Sequence, residues 1–256
     1  MDKTVVKAFG VLELLARAEA PVSLTWLAEQ TGLQKSNVHR LLATLCALGY
    51  ARQGEASLYE PSLRIWELGQ GVYARFSMAG AARPVLRRLM EQTGESAHLA
   101  IFDRTDIVYI DKVETANPVR AYTAVGGRAP AFCTASGKAL LAFQPDETVR
   151  AVGALMQPQT TETLPNLAEL VKELNTVRSQ GYAINLGEFR ENVAGLAAPV
   201  RLGHGEVIAA VGISGPLDRL RPRKLRSLAP IAMAAAGDIA RALGATGAVR
   251  ASAKRR

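Results

Sequence analysis

The 256-residue sequence predicts an α+β chain in two parts, a small helical region and then a larger region of mixed helix and strand. Three observations predict it. Apolar residues recur at three- and four-residue steps from Thr4 to Leu48, the period of amphipathic helices. From about Gly80 the pattern changes to mixed helix and strand. Between the two regimes, Leu63 to Met78 reads as a single connecting helix, with Leu63, Trp66, Leu68, Val72 and Phe76 giving it apolar surface.

The first helix is read over Thr4–Ala18. Val5, Val6, Phe9, Leu12, Leu15 and Ala16 are expected to share a face packed on the helices that follow. Pro21 ends the connection, and Ser23 or Thr25 can cap the next helix. From Leu24 to Leu48 the apolar positions Leu24, Leu27, Ala28, Leu33, Val38, Leu41, Leu42 and Leu45 fall on both sides of Gly32. That predicts two short helices broken at Thr31-Gly32-Leu33. Small Ala28, then Gly32, then β-branched Val38 is the spacing of a helix-turn-helix.

With Val38 pointing inward and 100° per residue, Ser36, Arg40 and Ala43 lie outward, with Asn37 and Thr44 to one side. The first turn of this second helix, Gln34-Lys35-Ser36-Asn37, is wholly polar. Between Gln34 and Arg52 the only charges are Lys35, Arg40 and Arg52. A recognition helix needs donors and acceptors at its N-terminal end, where it enters the major groove. The expected DNA-contacting set is therefore Thr25, Gln34, Lys35, Ser36, Asn37, His39, Arg40 and Thr44. Gly49 stops the helix, and Gln53-Gly54-Glu55 reads as a hairpin tip between two short strands, the wing of a winged helix. Arg52 on that wing is placed near a backbone phosphate.

The expected boundaries are 1–62 for the winged helix-turn-helix, 63–79 for the helical linker, 80–247 for the second domain and 248–256 for a basic, disordered tail. Gly69-Gln70-Gly71-Val72-Tyr73-Ala74 matches a loose dinucleotide-binding pattern. It sits inside a helical stretch with no preceding strand, so the pattern is set aside. In the second domain, helices are read at Pro84–Gln92, Thr134–Phe143, Pro165–Gln180 and Lys224–Leu243. Strands are read at Ser96–Phe102, Ile107–Val113, Val119–Val125, Val193–Val200 and Glu206–Ile213. A sheet flanked by helices at this size is an α+β sensor domain of the PAS/GAF kind.

Charge and composition narrow the function. The net charge is +8, and hydrophobic residues make up 48% of the chain, which excludes general disorder. Residues 1–78 hold eight basic and seven acidic residues, a balance of only +1. The surplus lies in Arg219–Arg226 and Arg250–Arg256, so DNA binding rests on the acid-free helix face and not on bulk charge. No apolar run spans a bilayer, and MDKTVVKAF has no signal-peptide core, so a cytoplasmic protein is expected. Cys46 and Cys133 supply neither a disulfide framework nor a zinc spacing. His39, His98 and His204 have no metal spacing either, and no cofactor is expected.

The segments GGRAPAFCTASGKALLAF, NVAGLAAPV and VIAAVGISGP, with the N-terminal winged helix, resemble the isocitrate lyase regulator (IclR) family of bacterial transcription factors over roughly residues 4 to 244. The resemblance implies a regulator, not an enzyme. It implies a dimer or dimer of dimers on operator DNA and a small organic-acid effector, possibly aromatic. It also implies a pocket: effector carboxylates on the backbone amides of Ala135 and Ser136, with Asn185, Gly195, Gly212 and Ser214 around them. Val119 and Ala121 would form an apolar wall, and Cys133 would join the lining.

Two other functions are open to the residues. Cys133 with His98 could act as nucleophile and base. A nonspecific nucleic-acid-binding protein is the second, which a large second domain with its own pocket argues against. Ser136-Gly137-Lys138 is not a phosphate loop, because Phe132 and Ala139 stand where Gly and Ser or Thr are required.

Overall fold

The computed structural model describes residues 1–73, 78–121 and 123–245, with backbone alone at 70–73 and 245. The chain divides into two compact units, Met1–Phe76 and Ser77–Arg256.

The first unit holds α1 (Lys3–Arg17), α2 (Leu24–Thr31), α3 (Lys35–Ala47), β1 (Ala51–Gln53), β2 (Tyr59–Pro61) and α4 (Leu63–Tyr73). Ser23 caps α2 by accepting from the Trp26 amide at 3.1 Å. Gly32 closes α2 at φ 67°, a left-handed conformation in which a Cβ would be strained, and this turns the chain into α3. Val11, Leu15, Leu27, Ala28, Val38, Leu41, Leu42 and Leu45 form one core, with Ala51 and Tyr59 from the wing. β1 and β2 pair antiparallel, with Arg52 opposite Glu60.

One expectation for α1 fails. Its inward stripe is Ala8, Val11, Leu12 and Leu15, while Val5, Val6 and Phe9 are exposed at 51%, 47% and 60%. Both stripes have helical spacing. The three-helix core has room for one, and Val11 and Leu15 fill it.

The second unit is built on one antiparallel sheet, six strands among the described residues, in the order β5-β4-β3-β8-β7-β6. These are β3 (Ser96–Asp103), β4 (Asp106–Val113), β5 (Arg128–Pro130), β6 (Ala183–Leu186), β7 (Val193–Arg201) and β8 (Val207–Pro216). The helices are α5 (Met78–Thr93), α6 (Ala135–Leu141), α7 (Asp146–Gly153), α8 (Leu167–Gln180) and α9 (Pro222–Ala245). The central strands alternate cleanly between two cores. Leu99, Leu196, Val211 and Ile213 join residues of α5 and α9 on one face. Ala100, Ala197 and Ala210 join residues of α6, α7 and α8 on the other.

The second face is lined by small residues because α6 lies close on it. A Cβ at Gly195 in β7 would stand 3.6 Å from Ala135 Cβ in α6. Gly137 gives α6 clearance from the turn before it, where a Cβ would stand 2.2 Å from the Ala131 carbonyl oxygen.

Several expected elements are corrected. The described residues of Val119–Val125 form no strand. Side chains hold its carbonyls: Arg219 donates to Val119 O at 2.9 Å, and Lys112 Nζ donates to Thr123 O. The outer partner of β4 is Arg128–Pro130 instead. α5 begins six residues before Pro84 and carries that proline inside it. The strand β6 and the helix α7 were not read from sequence. The predicted linker helix Leu63–Met78 includes residues 74–77, which lie outside the described residues, as do Tyr122 and the basic tail 248–256.

Candidate nucleic-acid interface and ligand cavity

In α3 the inward positions Val38, Leu41, Leu42 and Leu45 are buried, and the helix phase follows from them. Gln34, Lys35, Ser36, His39, Arg40 and Thr44 are exposed on the opposite side. Asn37 and Thr25 are half-buried at its edges. Thr44 Oγ1 donates to the Arg40 carbonyl at 3.0 Å, a local bond that leaves its acceptor capacity outward. Gln34 occupies the N-cap without a side-chain cap bond, so the first turn of α3 keeps unmet N–H groups. A polar, acid-free helix N-terminus of this kind suits phosphate and base edges. Arg52 is less free than the sequence implies. Its Nε pairs with Glu60 Oε1 at 2.8 Å across the wing.

The second unit contains a cavity of about 200 Å³ between the β3–β8–β7 face, the start of α6 and the segment after β6. Its polar lining includes His98, Tyr109, Ser136, Asn185 and Ser214, with Arg128 and Arg190 among the charged residues. Ala121, Ala129, Ala135, Ala194, Gly195 and Ile213 give apolar walls. An engineered apolar cavity of about 150 Å³ admits benzene, so this one has room for a small organic molecule.

Each polar group has an identifiable mount. Thr134 caps α6 by accepting from the Gly137 amide at 3.1 Å, and Ala135 and Ser136 follow as the first helical residues. Their amides precede any intrahelical acceptor. Asn185 in β6 accepts from the Glu188 amide at 2.8 Å, which fixes the turn carrying Phe189 and Arg190. Glu188 in turn accepts from Lys138 Nζ at 2.6 Å, and Glu173 accepts from the same ammonium at 3.1 Å. Lys138 is 1% exposed. Burial pushes the Glu188 carboxyl up, and the Lys138 charge opposes that shift.

His98 is the cavity residue that sequence reading undervalued. Its Nε2 lies 3.0 Å from Ser136 Oγ, and its ring meets Tyr109 edge-on at 5.2 Å. Desolvation lowers its pKa to about 4, so the imidazole is neutral at physiological pH. Burial likewise raises Tyr109 to about 12.

Of the expected pocket residues, Ala121, Ala135, Ser136, Asn185, Gly195 and Ser214 line the cavity, and three do not. Val119 is 64% exposed, outside the lining. Gly212 is packed against Ala197, where its missing Cβ gives clearance between strands. Cys133 is fully buried in the α6 core. Burial raises its thiol to about 12, and His98 Nε2 faces Ser136 instead, so no thiolate–imidazole pair forms.

A winged helix-turn-helix joined to an α+β domain with its own cavity is the architecture of a DNA-binding regulator. Comparison with known proteins narrows the class. Residues 70–241 match the profile described as "Bacterial transcriptional regulator IclR C-terminal", and residues 4–55 match "IclR helix-turn-helix domain". The chain is 33% identical to the HTH-type transcriptional regulator KdgR of Escherichia coli over 94% of this chain and 92% of that one. It is 30% identical to the transcriptional repressor IclR of the same organism, over 94% and 90%. The Thermotoga maritima IclR structure superposes with a TM-score of 0.77 at 29% identity, covering 94% of this chain and 98% of that one. An IclR homologue from Microbacterium hydrocarbonoxydans, solved in complex with 4-hydroxybenzoate, has the same fold (TM-score 0.82, 22% identity, 95% and 100% covered). The chain belongs to the IclR family of transcriptional regulators, and these relatives are regulators, not enzymes. No helix among the described residues is long and apolar enough to cross a membrane.

Proposed function

We propose that this regulator is a repressor whose operator binding is modulated by a small organic acid held in the second unit's cavity. Lys35, Ser36, Asn37 and Arg40 contact base edges and phosphates. Thr25, Gln34, His39 and Thr44 border that surface, and Arg52 supports it from the wing. A homodimer, alone or paired into a tetramer, reads two adjacent major grooves in the cytoplasm. The exposed stripe Val5, Val6 and Phe9, with Leu63, Trp66 and Leu68 exposed on α4, supports burial against a second copy.

The observation that carries the effector reading is the cavity itself: about 200 Å³, with buried Ser136, Asn185 and Ser214 among apolar walls. The Ala135 and Ser136 amides receive the carboxylate, while Gly195 and Ala121 leave room for the organic body. Effector binding regulates only through different affinities for DNA-competent and DNA-incompetent arrangements, which the Leu63–Met78 linker relays.

The test is a thermal-shift screen of organic acids, followed by operator titration with the hits. A true effector raises the melting temperature with concentration and changes operator affinity. Failure of every acid to do either removes the effector reading.

A further inference from the structure

The positive surplus of the second unit gathers at one place. Arg219–Arg226 reads RLRPRKLR, five basic residues and no acid in eight positions. It forms the turn into α9 and the first residues of that helix. A run of like charge is ordinarily a disordered, solvated tail. This one is anchored in the core. Leu220 and Leu225 are buried, in the cluster that joins α5 and α9 to the sheet. Arg219 donates to both oxygens of the buried Glu95 carboxylate, at 2.6 and 2.8 Å. With the leucines turned inward, Arg221, Arg223, Lys224 and Arg226 are all exposed.

These four charges are unbalanced. Arg219 and Arg241, to either side of them in the chain, have carboxylate partners in Glu95 and Asp238. Among the described residues the four have none, and Arg221 Nε donates to a backbone oxygen, that of Asp218, at 3.3 Å. Five residues at 1.5 Å each put Arg221 and Arg226 about 8 Å apart along the axis. That is about one Debye length at physiological ionic strength, so the charges repel. Positive charge at the start of a helix also opposes its dipole. The group therefore weakens the fold, and a rigid, self-repelling cationic surface points to an external polyanion.

The charge balance of the first unit indicates which one. Residues 1–78 sum to only +1. Sequence-independent affinity for a duplex comes from cations set on phosphates. The α3 face offers Lys35 and Arg40, while Arg52 is engaged by Glu60. From this, and resting on the DNA-binding reading above, we infer that the Arg221–Arg226 surface is a second DNA contact. It holds backbone phosphates without reading sequence, while α3 reads the bases.

The side chains suit that division. Arginine forks match phosphate oxygens. The stretch has no Asn, Gln, Ser or Thr to read a base edge. An acidic protein surface is the competing partner, but protein interfaces centre on apolar or aromatic anchors. Here both leucines of the stretch are buried, and charge alone faces outward.

The test measures DNA affinity of the full chain against salt concentration, on a fragment selected by the wild type and on random duplex. Changing Arg221, Arg223, Lys224 and Arg226 together to Gln is expected to make the slope of log affinity against log salt shallower by about 2–4 on both duplexes. At low salt, affinity for both should fall at least about tenfold, with the ratio between them unchanged. Arg40→Ala, in contrast, should lower that ratio. A control changing Arg104, Arg150, Lys172 and Arg241 to Gln removes the same charge elsewhere and should leave the slope as it is. A patch variant that binds like wild type, or a control that loses as much, overturns the inference and leaves the α3 reading intact. The first of those outcomes would favour an acidic protein partner. If the wild type binds neither duplex, the DNA-binding reading falls and the inference with it. Should the patch variant fail to fold, amine modification of the wild type decides. Random duplex should slow acylation of Lys224 but not of Lys172, and equal rates with and without DNA at Lys224 overturn the inference.

Discussion

The two working surfaces of this protein are built on opposite terms. The α3 face in the first unit is exposed and polar, and comes from one contiguous stretch, Gln34 to Thr44. The cavity in the second unit is a recess partly open to solvent, and its polar residues come from positions as far apart as His98 and Ser214. The first needs only a buried core to fix the phase of a helix. The second needs a sheet register, a capped helix and a buried ion pair all in place. The contact residues of the first surface stand clear of the core, whereas those of the second, such as His98, Ser136 and Asn185, are themselves buried.

That contrast can be broken at several points, the largest effect first. Lys138→Met should destabilise the second unit by about 3–5 kcal/mol, because removing one partner strands buried Glu188. Chemical denaturation of the variant checks it, and a loss below about 1 kcal/mol would mean that the pair does not hold the cavity wall.

His98 should make stability pH-dependent. Its folded pKa, about 4, lies below the ordinary 6.5, so the unfolded chain takes up the proton first. Stability is full above pH 6.5 and falls as pH drops towards 4, by about 2 kcal/mol between pH 7 and pH 5. Denaturation curves of wild type and His98→Asn at the two pH values isolate this contribution. The difference between them should shrink at pH 5.

Arg40→Ala should leave the melting temperature unchanged and weaken binding to a wild-type-selected DNA fragment by on the order of tenfold, as one base or phosphate contact does. Organic-acid binding should be unaffected, and loss of both functions together would count against separable surfaces. Smallest is Ser23→Ala, expected to cost about 1 kcal/mol through loss of the α2 cap, read in the melting curve.

How much was legible follows the same division. The turn at Gly32, the phase set by Val38 and the outward placement of Ser36 and Arg40 were readable, because helical periodicity is a local property. The wing hairpin was readable from Gly54 and its flanking residues. Other features were not. Val5, Val6 and Phe9 have the same periodicity as the stripe that is buried, and only the size of the core chooses between them. Val119–Val125 alternates like a strand, yet Arg219, a hundred residues later in the chain, takes the Val119 carbonyl. His98 sat in a readable strand, but nothing local says that its Nε2 meets Ser136.

The sequence by itself determined the two-part α+β organisation, the helix-turn-helix and the kinship with a family of regulators, since these rest on periodicity, turn residues and contiguous motifs. Only the tertiary structure decided which residues surround the cavity. It put Cys133 and Gly212 outside it and His98 within it, and it sank Lys138 between two carboxylates. Those outcomes depend on strand register and on close approach of α6 to the sheet, which are set by contacts between residues distant along the chain.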